Sequence, residues 1–218
     1  MSAVERGIRA LLAGAPIVPV YSPESPEEAV AVARALVRGG LPVIEVTLRG
    51  PRSLDALRAV VDAVPSAIAG AGTVLGPAQL DAVIATGARF AVSPGATPDL
   101  LSHAIDTGFP FLPGVATASE LMRGLDAGLD CFKLFPAVSV GGPALLASLH
   151  GPFPGARFCP TGGITPATAP DYLRLPNVIT LGGSWLTPRA ALQAADWAAV
   201  EALARAAVAI ARASASTA

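Results

Sequence analysis

Of the 15 basic residues in the chain, all but one are arginine; the exception is Lys133. It stands in Cys131-Phe132-Lys133-Leu134-Phe135, where apolar neighbours would strip water from an ammonium and favour the neutral, nucleophilic amine. A guanidinium keeps its proton, so arginine cannot take that role. The bland alternative is a strand-end lysine that extends its head to solvent. A second constellation lies in Val43-Ile44-Glu45-Val46-Thr47-Leu48-Arg49. Period-2 alternation puts Glu45, Thr47 and Arg49 on one face and the aliphatic residues on the other. A carboxylate there can move protons, and an arginine further along can grip a substrate carboxylate through its planar fork. The competing reading is a structural Glu45–Arg49 ion pair.

Two glycine pairs form the third constellation, Thr161-Gly162-Gly163-Ile164-Thr165 and Gly182-Gly183-Ser184. Backbone without side chains can present N–H groups to an anion, although tight turns use Gly-Gly as well. His103 and His150 lie far apart, in segments with helical patterning, and assemble no metal site. Without such a site, an enzyme cleaving a C–C bond beside a carbonyl would hold its carbanion through an imine, for which the lysine is present. Cys131 and Cys159 are expected to be buried and reduced, and Trp185 and Trp197 to be packing or interface aromatics.

These residues need a scaffold, and the chain repeats one unit eight times. Short apolar runs at residues 16–21, 43–48, 67–74, 89–93, 109–112, 131–135, 156–160 and 178–181 are each followed by a helical pattern, as in βα units of a parallel sheet. Ser25-Pro26, Gly50-Pro51, Gly76-Pro77, Thr97-Pro98, Gly142-Pro143, Thr165-Pro166 and Thr187-Pro188 are predicted to open seven helices, and Thr117 with Glu120 to cap another. Gly39, Gly87, Gly108 and Gly128 fall where helices should stop in a left-handed turn. Eight units of roughly 27 residues predict an α/β chain folded as a single-domain (β/α)8 TIM barrel over residues 1–218, with a doubly wound open sheet as runner-up. In such a barrel reacting groups come from the C-terminal strand ends, where Glu45, Thr47, Arg49, Thr73, Ser93, Lys133, Thr161 and Ser184 stand, and loops after strands seven and eight commonly bind phosphate.

Composition narrows the class further. The 218 residues are 52% hydrophobic with a net charge of −1, which argues against disorder and offers no basic footprint for nucleic acid. The longest stretch free of Asp, Glu, Lys and Arg, residues 134–156, is broken by glycines and prolines that no membrane span would carry together. No cleavage site is evident near Glu5, Arg6 and Arg9, so a cytoplasmic protein is expected. The last helix is expected over residues 196–212, with the Ser/Ala/Thr tail frayed.

On five motifs the chain resembles the 2-keto-3-deoxy-6-phosphogluconate (KDPG) aldolase and 4-hydroxy-2-oxoglutarate aldolase family. They are residues 40–49 (GLPVIEVTLR), 70–75 (GAGTVL), 132–137 (FKLFPA), 158–164 (FCPTGGI) and 182–186 (GGSWL). The resemblance implies a trimeric, cytoplasmic, cofactor-free class I lyase that splits a keto-deoxy sugar acid phosphate into pyruvate and glyceraldehyde 3-phosphate. It implies that Lys133 forms the Schiff base and Glu45 shuttles protons. Arg49 and Thr73 would hold the pyruvyl carboxylate, Pro94 would line the pocket, and Thr161 would contact the hydroxyl region. Gly162, Gly163, Gly183 and Ser184 would bind phosphate. An aldolase for another epimer or keto acid, a sugar-phosphate isomerase and a non-catalytic phosphate-ligand binder remain alternatives.

Overall fold

The computed structural model describes residues 3–215. Its strand segments are β1 (Val18–Tyr21), β2 (Val43–Thr47), β3 (Ile68–Gly72), β4 (Ala91–Val92), β5 (Phe111–Leu112), β6 (Gly114–Val115), β7 (Cys131–Leu134), β8 (Arg157–Phe158) and β9 (Gly182–Gly183). Every pairing is parallel, in the order β5-β4-β3-β2-β1-β9 and β6-β7-β8. The two sheets are one curled sheet. β5 and β6 are a single stave interrupted at Pro113, which has no N–H to give to the ladder, while its carbonyl still accepts from Lys133 N at 2.8 Å. The seam between β8 and β9 is closed by the bridges Phe158–Val178 and Thr161–Gly182. The predicted TIM barrel is the observed fold, and the open sheet is not.

Eight staves alternate with the helices α2 (Pro26–Arg38), α3 (Ser53–Ala63), α4 (Pro77–Ile84), α5 (Pro98–Thr107), α6 (Ala118–Asp126), α7 (Gly142–His150), α8 (Ala169–Leu173) and, after the last stave, α9 (Arg189–Gln193) with α10 (Trp197–Ala215). Ser25 and Thr97 accept hydrogen bonds from the third helical residue, with proline following, and Thr117 with Glu120 makes the expected capping box. Other predicted boundaries move. Gly50-Pro51 and Thr165-Pro166 occupy turns ahead of α3 and α8, Gly142 is already inside α7, and Pro188 is itself the N-cap of α9. Gly39 is right-handed at φ −75°, and the left-handed stop is Gly40 at φ +94°. The eighth ladder forms at Gly182–Gly183, beyond the expected 178–181, because Val178 reaches its neighbour only through a single bridge. α10 continues to Ala215, with Ser214 Oγ donating to Ile210 O at 2.9 Å; the end of the tail, residues 216–218, lies outside the described residues.

One element has no counterpart in the sequence pattern of βα units. α1 (Ala3–Ala13) precedes the first stave and inserts Ile8 and Leu12 into the barrel's N-terminal mouth. There they join Val18, Val43, Phe90, Val92, Leu112, Cys131 and Cys159 in a dry interior layer, separate from the larger core between sheet and helices. Glycines make the layers fit: a methyl at Gly70 would stand 2.5 Å from the Phe90 ring. Gly70→Ala is therefore expected to cost about 1–3 kcal/mol of stability through overpacking. Gly155→Ala, where an added methyl meets nothing within 4 Å, should stay within about 0.5 kcal/mol, both read by urea denaturation.

Candidate active site

Above the dry layer the barrel interior turns polar. Glu45, the third residue of β2, is flanked in register by Val20 of β1 and Gly70 of β3, while Lys133 of β7 lies opposite Gly114 of β6. The two inward side chains meet across the barrel, with Lys133 Nζ donating to Glu45 Oε1 at 3.0 Å and Oε2 at 3.3 Å. Their side chains are only 6% and 4% exposed. The strand-end lysine extended to solvent is thereby ruled out, as is the Glu45–Arg49 pair. The Phe135 ring, 5.4 Å from Nζ, covers the ammonium on another side.

Room for the carboxylate is made by Gly72, where a methyl would sit 2.1 Å from Glu45 Oε1. Directly after it, Thr73 has φ +64°, a conformation a β-branched residue rarely adopts. Strained backbone of this kind persists where the surroundings impose it, and here it turns the chain at the rim of the site. Thr47, two residues beyond Glu45 on the same face, shares a 2.7 Å hydrogen bond with Ser22. Arg49 continues that face onto the surface, exposed and without a hydrogen-bond or ion-pair partner among the described residues, so its guanidinium is available.

Pro94 is half-buried and abuts Gly114, where a methyl would stand 2.2 Å from the Pro94 carbonyl oxygen; the adjacent buried Ser93 accepts from Gly114 N at 3.4 Å. Thr161 is buried, and Gly182 opposite it leaves space for its hydroxyl. Gly162 and Gly163 have φ of +105° and +79°. Their turn is tied to the loop after Lys133, with Ala137 N donating to Thr161 O at 2.8 Å and Val138 N to Gly162 O at 3.1 Å. Gly183 is buried in β9 under the Trp185 ring, and Ser184 is exposed just beyond it. The structure thus gathers all ten predicted site residues at the upper half and C-terminal rim of the barrel. Lys133–Glu45 is the one pair among them joined by a side-chain hydrogen bond.

The buried groups below the pair are chemically quiet. Burial pushes the Cys159 thiol up to about 12 and raises Cys131 as well, so both are protonated, free thiols. His103 pairs with Asp81 on the outer surface at 2.7 Å.

Comparison with known proteins decides the lineage. Residues 8–203 match the family model described as KDPG and KHG aldolase. The chain belongs to this aldolase family. It is 52% identical over 198 residues to the KHG/KDPG aldolase of Escherichia coli K12, covering 91% of this chain and 93% of that one. The structure superposes with a TM-score of 0.89 on KDPG aldolase from Legionella pneumophila, solved with pyruvate captured at low pH as a covalent carbinolamine, at 44% identity over 91% of this chain and 96% of that one. The Zymomonas mobilis KDPG aldolase with 3-phosphoglycerate gives a TM-score of 0.90 and 47% identity over 94% and 97%.

Two features of this aldolase site escape the sequence pattern. The sequence names Thr73 as a site residue but not its left-handed turn, and it does not single out Ser22, the residue that follows β1 and bonds Thr47. Gly72→Ala tests the fit around the carboxylate. The methyl should push Glu45 away from Lys133 and lower kcat by about 10- to 100-fold, with a native circular dichroism spectrum.

Proposed function

We propose that the chain works as a single class I aldolase domain, cleaving KDPG to pyruvate and glyceraldehyde 3-phosphate, and 4-hydroxy-2-oxoglutarate to pyruvate and glyoxylate. The observation that carries this reading is the buried Lys133–Glu45 contact at 3.0 Å. Passing a proton from Nζ to the carboxylate leaves two neutral groups in a low-dielectric interior, which avoids the cost of burying both charges. The neutral amine attacks the C2 carbonyl, giving a carbinolamine whose hydroxyl leaves as water once Glu45 returns a proton, and the protonated imine remains on Lys133.

Cleavage then needs a base at the C4 hydroxyl. Glu45 takes that proton, the C4–O electrons form the aldehyde, and the C3–C4 bond breaks with its electron pair passing into the imine as an enamine. Protonation at C3 and hydrolysis release pyruvate and restore the lysine. Arg49 and Thr73 grip the pyruvyl carboxylate at the rim, Pro94 lines that end, and Thr161 meets the hydroxyl region. Gly162, Gly163 and Gly183 offer backbone and Ser184 its hydroxyl to the phosphate. Support comes from the position of these residues after the seventh and eighth staves, the usual anion site of phosphate-binding barrels.

The working form is a homotrimer in the cytoplasm. No described helix is long and apolar enough to cross a membrane. Borohydride reduction with pyruvate, followed by peptide mass spectrometry, should place one adduct on Lys133 and on no other residue. Lys133→Arg should lower kcat by at least about 10³-fold and Glu45→Gln by about 10²–10⁴-fold. Retained turnover in Lys133→Arg would instead fit an isomerase, which needs no neutral amine.

A further inference from the structure

Beyond the Lys133–Glu45 pair, a cavity of about 400 Å³ opens between the C-terminal ends of β1 and β9. Ser22, Glu24, Ser184, Thr187 and Arg189 supply much of its polar lining. Ser22 links it to the reaction centre through the 2.7 Å hydrogen bond to Thr47, which shares the inward face with Glu45. Ser184, the last member of the proposed phosphate set, lines this cavity together with Arg189.

A charge problem arises there. A phosphate monoester carries between one and two negative charges at neutral pH. The groups assigned to it so far, Gly162, Gly163, Gly183 and Ser184, are all neutral. Arg189, five residues beyond Ser184, is the first residue of α9; it is exposed, and among the described residues it has no carboxylate within ion-pair distance and no hydrogen-bond partner. Arg38, Arg174 and Arg205, also exposed, are each committed to a carboxylate. Glu24 is the one acidic side chain on the lining, which leaves the Ser184–Thr187–Arg189 wall as the side that accepts an anion.

We propose that Arg189 binds the phosphate end group of the substrate as a planar, two-pronged cation beside Ser184 and Thr187, and so sets the preference for phosphorylated over unphosphorylated keto acids. The proposal rests on the phosphate reading given above.

The test is the ratio of kcat/KM for KDPG to that for its dephosphorylated analogue, 2-keto-3-deoxygluconate, in the full chain and in Arg189→Ala and Arg189→Lys. Arg189→Ala should lower the ratio by about 10- to 100-fold, mainly through KM for KDPG, with Arg189→Lys falling in between. Inorganic phosphate, used as a competitive inhibitor, should bind Arg189→Ala at least about tenfold more weakly. A parent ratio near one sinks the phosphate reading itself. A parent ratio well above one that Arg189→Ala leaves within twofold overturns the assignment of Arg189 alone.

Discussion

A lysine and a glutamate, 88 positions apart in the chain, share a hydrogen bond inside a closed barrel, and most of the structure can be understood from what that contact requires. Removing two charges from water is expensive, and a well-packed apolar pair in the same place would often be as stable or more so. The contact is therefore poorly explained as a stabilising device and well explained as a reactive one, where a proton can move between two groups that are both cheaper to bury when neutral.

For the pair to meet, the barrel must be narrow at their level and filled below it. Gly72 provides the first condition by vacating the volume that the Glu45 carboxylate occupies. The second falls to Ile8 and Leu12 of α1, which close the N-terminal mouth, and to Phe90, Leu112 and the two thiols above them. That layer keeps water from reaching Lys133 from below and holds no ionised group, since burial keeps Cys131 and Cys159 protonated. Stability thus concentrates at the bottom of the barrel and chemistry at the top, the division of labour this fold makes possible.

The sequence reveals the reactive half better than the scaffold half. Alternation in residues 43–49 directs Glu45 inward because a strand has no other way to place its side chains, and the lone lysine marks itself by type. Seven of the eight predicted strand segments overlap a ladder because their apolar runs are local signals, and Ser25, Thr97 and Thr117 cap helices for equally local reasons. What escaped depends on distant partners. Pro113 splits a stave only because its missing N–H faces a neighbouring strand. Thr73 turns left-handed against its own preference, and α1 is recognisable as a plug only once the mouth it fills exists. The eighth ladder shifts to glycines with little strand propensity because Gly182 must pass close to Thr161.

The same contrast separates the two ends of the site. Lys133, Glu45, Thr47 and Thr161 are buried on or directly beside strands whose register leaves little freedom, so the half that would hold the pyruvyl group is fixed to within the tolerance that proton transfer demands. Ser22 and Ser184 are exposed on loops after the first and last staves and Arg189 is exposed at the start of α9, where side chains change without disturbing the interior layers. A barrel built this way holds its imine chemistry constant while the distal group it accepts varies with loop residues. The lone lysine therefore identifies the class of reaction, and discrimination between substrates falls to the charge and reach of the rim.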